Sequence, residues 1–161
     1  MTKRNYTQSL GWRNCNPLNI RYNPKNHWIG QRIPSSADKG FCHFHGRQFG
    51  YRAAFIIIRG WAEQLGDLNV RQIISKWAPS TENNTEGYIQ HVCDLTGYSA
   101  TTKVFNCKAH LNDNAHRVGR LFAAMTCIKC GCQPKDVPYQ DLCSGLSMIT
   151  GFAPQSRLIN L

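Results

Sequence analysis

The sequence predicts a mainly α-helical single domain, spanning 1–161, with a small irregular or β segment near residues 15–45. Three observations predict it. Apolar residues recur at helical spacing in four stretches of the chain beyond residue 47. The text before them, Asn14 to Ala37, is rich in Asn, Pro, Gly and Ser, which favour turns over helices. No internal repeat or low-complexity linker divides the 161 residues, a length that suits one ordinary core.

Each element has its own signal. Leu18 to Tyr22 reads as a short strand inside the turn-rich text, and Phe41, His43 and His45 alternate with Cys42 and Phe44 before Gly46. The period then changes. Tyr51, Ala54, Phe55, Ile58, Trp61, Ala62 and Leu65 lie on one helical face, so Gln48 to Leu65 is the central helix, stopped by Gly66. Asn69 can cap a second helix, Val70 to Trp77, which Pro79 ends. A third follows the loop Ser80 to Asn84, with Asn84 or Thr85 as cap, Tyr88, Ile89, Val92 and Leu95 as its apolar face, and Gly97 as its stop. A fourth runs from Ala109 to Cys127, with Leu111, Val118, Leu121, Phe122 and Met125 inward. Beyond Gly131 three prolines and no sustained period predict an irregular, Cys-containing tail, 131–161.

A formal charge of +10 predicts an anionic partner: nucleic acid, an acidic membrane surface, or a wall polymer with carboxylates and phosphates. No Lys/Arg tract marks a nucleic-acid arm, so nucleic acid is the disfavoured choice. The apolar stretch Ala53 to Ile58 is far too short to span a bilayer. The basic N-terminal text lacks a following apolar run, so the expectation is a soluble product made in the cytoplasm without a signal peptide. To act at the cell wall, in the periplasm or in a virion, it would have to be delivered there.

Eight cysteines are many for a chain read as unexported. Cys127, Cys130, Cys132 and Cys143 form C-x2-C-x-C-x10-C, which lacks the second pair of a zinc site. Reduced thiols or disulfides are preferred to a bound metal, and no cofactor is predicted. His43 and His45 on one strand face lack a third ligand.

Three ordered segments carry a resemblance. Arg13, Asn14, Asn16, Pro17, Asn19 and Ile20 fit R-N-x-N-P-x-N-I, and Trp28 and Gly30 fit W-x-G. Asp38, Phe41 and Phe44 fit D-x-x-F-x-x-F, before Gly50, Arg52 and Ala53. Trp77, Ala78, Pro79, Glu82, Asn83, Thr85 and Tyr88 fit W-A-P-x-x-E-N-x-T-x-x-Y. This set, over 13–98, resembles a family of phage and prophage proteins often described as structural or virion-associated. Its layout also resembles the glucosaminidase branch of the lysozyme-like superfamily, which implies a lysozyme-like fold with a groove for a polysaccharide strand. The chain departs from that branch at one place: no acid lies upstream of the NCNPLNI turn, where the branch has its principal glutamate.

Glycoside cleavage needs a carboxylic acid at the leaving oxygen, and a second carboxylate or the substrate's own acetamido group. Glu82, in a loop beside Trp77, is the leading catalytic candidate, with Asp38 as a second carboxylate. Each has a plainer role open to it: Ser80 to Glu86 suits helix capping, and the SSADKG string around Asp38 suits a turn. Glu63 reads as solvated, and Glu86 as a partner of the helix dipole. Asn14, Asn16, Asn19, Asn83, Thr85 and Tyr88 are the other substrate-binding candidates, the amides offering hydrogen bonds to N-acetyl or hydroxyl groups. Trp28 and Tyr22 offer rings to stack on a sugar or side chains to the core. The asparagines of the turn serve equally well as an Asx network locked by Pro17. The expected partner is peptidoglycan or a related anionic glycan, with other virion proteins beside it. The expected function is a phage-type peptidoglycan-cleaving enzyme, a glycosidase or lytic transglycosylase; the alternative is a non-catalytic virion component that binds the same glycan.

Overall fold

The computed structural model describes residues 5–33 and 40–161. After a single 3-10 turn and a short helix α1 (Leu10–Arg13), the chain runs through the Asn-rich turn into β1 (Gln31–Arg32). Then come β2 (His43–Phe44), α2 (Arg47–Leu65), β3 (Leu68–Asn69), α3 (Val70–Trp77) and α4 (Thr85–Thr96). β4 (Lys103–Phe105), α5 (Leu111–Cys130), α6 (Tyr139–Thr150) and α7 (Ser156–Ile159) complete it. The mainly helical class holds, with two antiparallel two-stranded pieces, β1–β2 (Gln31 opposite Phe44) and β3–β4 (Leu68 opposite Phe105).

α2 is the central element. Tyr51, Ala54, Phe55 and Ile58 are fully buried along its inner face, as the 3.6-residue period requires. Tyr51 stacks on Phe122 of α5 with ring centroids 6.4 Å apart, and its hydroxyl meets the Thr126 hydroxyl at 2.7 Å. α6 lies along α2, and α5 packs on α4, α6 and α7. α3 begins with a capping box between Asn69 and Gln72, and α4 begins with Asn84 accepting from the Gly87 N–H. Caps of this kind satisfy backbone donors that the helix itself leaves orphaned.

Two expectations change. The strand Leu18 to Tyr22 is reduced to one bridge, Arg21 opposite Phe41. The Asn16 side chain takes the Ile20 N–H, so pairing with the 40–42 segment is confined to this bridge, where the Cys42 N–H donates to the Ile20 carbonyl and the Tyr22 N–H to the Gly40 carbonyl. The tail is not irregular throughout, because α6 is a twelve-residue helix within it. Leu142 and Leu146 are fully buried four residues apart, between Pro138 and Gly151. Gly145 breaks that pattern in the text, yet it is where α6 lies against the backbone of α2, at Gln48 and Arg52.

All eight cysteines are free thiols. Burial pushes the Cys42 and Cys130 thiols up to about 11, so both stay protonated and pack as small apolar groups. At the β3–β4 corner, the Cys107 N–H and the Lys103 ammonium hold the Asp67 carboxyl below the usual carboxylate range. Because the folded value is the lower one, this contribution is fully present above the unfolded carboxylate pKa of about 3.9. It disappears as pH falls through the folded value. An Asp67→Asn variant should therefore show a shallower acid limb when urea midpoints are measured against pH, and an unchanged slope would contradict this.

Candidate functional site

Among the described residues lies an open groove of about 730 Å³, within the range that holds a small ligand. One wall is the turn segment Asn19 to Asn26, and the other is the loop Pro79 to Asn83. The floor comes from Phe41, from Ile57 and Trp61 of α2, from Lys76 and Trp77 of α3, and from Lys129 of α5. Trp61 and Trp77 meet edge to face, 5.9 Å between centroids, and the Trp77 Nε1–H donates to the Leu18 carbonyl at 3.0 Å. That bond ties the end of α3 to the Asn-rich wall. Lys76 lies over the Trp61 ring at 5.0 Å, and Lys129 over the Tyr88 ring at 5.5 Å.

Asn16 makes the wall. It is wholly buried, its Nδ2 donates to the carbonyls of Ile20 and Cys42, and its Oδ1 accepts from the Ile20 N–H. Those three bonds hold Ile20 and Arg21 against Phe41. Asn19 lines the groove with φ of 52°, a left-handed conformation that asparagine tolerates better than most residues. Asn14 is buried too, with its carbonyl accepting from the Phe44 N–H.

Glu82 stands on the opposite rim, with its carboxylate 2.9 Å from Arg21 across the groove mouth. Both side chains are more than half exposed, 57% for Glu82 and 65% for Arg21, so the pair contributes little to stability. Asn83 is beside it and donates to the Pro79 carbonyl. Thr85 is buried and donates to the Ala78 carbonyl at 2.6 Å, which closes the loop onto α3. Tyr88 is buried beneath Lys129, and burial raises its hydroxyl pKa well above the ordinary range.

The groove therefore gathers Glu82, Asn83 and Asn19 from the predicted set. Asn14, Asn16, Thr85 and Tyr88 sit beneath its walls, and Trp28 packs against the core outside its lining. Asp38 lies outside the described residues. Glu63 is exposed and absent from the lining, and Glu86 pairs with Arg71 on the far side of α4. Sequence reasoning missed Trp61, Lys76 and Lys129 as groove residues. Lys129 carried no signal beyond that of a basic residue in the last turn of a helix, which favours the helix dipole anyway.

Among the described residues, no three His, Cys, Asp or Glu side chains converge as a metal would require. Among them, too, no helix is long and apolar enough to cross a membrane.

No family model matches the chain. Over 96 residues, 58% of its length, it is 36% identical to Protein P5 of Pseudoalteromonas phage PM2. The chain is similar to a phage protein. The likeness to phage proteins read from the motif set holds at that level. The matched stretch takes in 59% of the length of the phage protein, so the two are aligned over rather more than half of each.

Proposed function

We propose that the protein is a phage structural component, carried in the virion, whose groove binds cell-wall glycan without cutting it. One observation carries the choice of binding over cleavage. Among the described residues, Glu82 is the only carboxylate that lines the groove, and it is exposed and paired with Arg21. A general acid keeps its proton at neutral pH through apolar enclosure, and this rim position offers none. The Trp61–Trp77 floor and the Asn19, Asn23, Asn26 and Asn83 amides suit a sugar, which presents flat apolar faces and hydroxyl or acetamido edges. The similarity to a phage protein supports the virion setting.

Cosedimentation with purified peptidoglycan tests this reading. Wild-type protein should pellet with the wall and release neither reducing ends nor anhydro sugars. Tyr22 lines the groove and is 40% exposed, so Tyr22→Ala should fold normally and bind several-fold more weakly. Glu82→Gln should shift stability by less than about 1 kcal/mol and leave binding in place. Failure of the wild type to pellet would end the glycan reading. Sugar release by the wild type that Glu82→Gln abolishes would replace docking with catalysis, and Glu82 would then be its general acid.

A further inference from the structure

Four charged side chains line the groove, Arg21, Lys76, Lys129 and Glu82, and Glu82 engages Arg21 alone. Neither lysine has an ion pair of its own among the described residues. Neither has a hydrogen-bond partner among them, and each is held only over an aromatic face. Lys129 is the more unusual of the two. It is half-buried in the last turn of α5, and it faces Arg21 and Glu82 across the groove with the Tyr88 ring beneath it. Burial, and then the Arg21 charge, push its ammonium below the ordinary lysine range, and only Glu82 pulls the other way. A fold selected for stability alone would fill that place with an apolar chain, because a half-buried unpaired ammonium costs free energy. Such a residue is typical of sites where stability is given up for binding.

We propose that the groove recognises an acidic group on its ligand, a carboxylate carried on the glycan's peptide substituent and seated between Lys129, Arg21 and Lys76, so that it takes a carboxylate-bearing glycan in preference to a neutral one. The inference rests on the glycan-binding reading above and specifies which glycan. An incoming carboxylate supplies the ion pair that both lysines lack, and it does so inside a partly dry groove where a charge-assisted hydrogen bond is strong. It can also share or displace Glu82 on Arg21, whose guanidinium has donors to spare. The sugar ring is left to the Trp61 and Tyr22 side of the lining.

The experiment titrates the full chain with three soluble probes by calorimetry. They are a disaccharide-peptide fragment of peptidoglycan with free carboxylates, the same fragment with its carboxylates amidated, and a neutral chitooligosaccharide. A polyphosphate arm runs beside them. The expected result is about tenfold tighter binding of the free-acid fragment than of either neutral probe, as one charged hydrogen-bonded contact would give. Lys129→Met should abolish that preference while its melting temperature stays equal to or above that of the wild type. The exposed Lys76→Gln should reduce the preference in the same direction, which keeps the test valid if Lys129→Met folds poorly. Equal binding of all three glycan probes by the wild type would overturn the carboxylate inference and leave glycan binding standing. No binding of any glycan probe would overturn both. Tighter binding of polyphosphate than of the free-acid fragment would also overturn it, because the recognised group would then be a phosphodiester or phosphate.

Discussion

Asn16→Ala is expected to cost on the order of 3 kcal/mol, enough to lower the melting temperature by roughly 10 °C in a domain of this size. The side chain has no exposed surface, so solvent cannot replace what it does. Its removal strands the Ile20 N–H and takes one hydrogen bond from each of the Ile20 and Cys42 carbonyls, the first of which keeps the Cys42 N–H. Each buried polar group left without a partner costs about 1–3 kcal/mol. Asn16→Asp is no rescue: it keeps the acceptor for Ile20 N–H, loses both donors, and brings a carboxylate into a buried site. The consequence for the groove follows from the same bonds. Ile20 and Arg21 form one wall only while Asn16 holds them, so glycan cosedimentation should fall together with stability. A direct ligand-binding role makes the opposite prediction, lost binding at an unchanged melting temperature. Thermal unfolding and cosedimentation of the same Asn16→Ala sample separate the two, and an unshifted melting curve would refute the structural role.

This residue also marks how far the sequence could be read. NCNPLNI was legible as a polar turn locked by Pro17, and the choice between an Asx network and a ligand site was not, because it depends on the Cys42 carbonyl, 26 residues away. Where the determinants are local, the reading was close. Val70–Trp77 has the bounds expected of it because Asn69 with Gln72, and then Pro79, write its start and stop into adjacent residues. α2 and α4 agree with their expected spans to within a residue or two for the same reason. α6 was invisible because Gly145 and the prolines at 134, 138 and 154 resemble loop text, and the reason for that glycine is a contact with α2. The groove divides in the same way. Glu82 and Asn83 were found through a loop motif, whereas Lys129 lies beyond the motif-bearing stretch and reaches the groove only because α5 packs against α4.

A contrast between two helical glycines gives the second large effect. Gly60 in α2 and Gly145 in α6 both sit inside helices, where alanine is intrinsically better by about 0.5–1 kcal/mol. Gly60 faces open space, with nothing that an added Cβ would meet within 4 Å, so Gly60→Ala should raise stability by about that amount. At Gly145 the added Cβ would collide with the Gln48 carbonyl oxygen, and it would lie 3.0 Å from the Tyr51 Cβ and 3.1 Å from the Arg52 nitrogen. Two of those three atoms are backbone, and a helix backbone cannot yield as the end of a side chain can. The helices must part instead, loosening Leu142 and Leu146 from the core, so Gly145→Ala should lose about 3 kcal/mol despite its better propensity. Urea unfolding of the two variants, measured together, should shift in opposite directions. The damage should also reach the groove, because the helix that α6 braces supplies Ile57 and Trp61 to its floor. A Gly145→Ala protein as stable as the wild type would mean that α6 does not approach α2 this closely. The brace beneath the groove would then have to come from α5, β2 and β4, which also pack on α2.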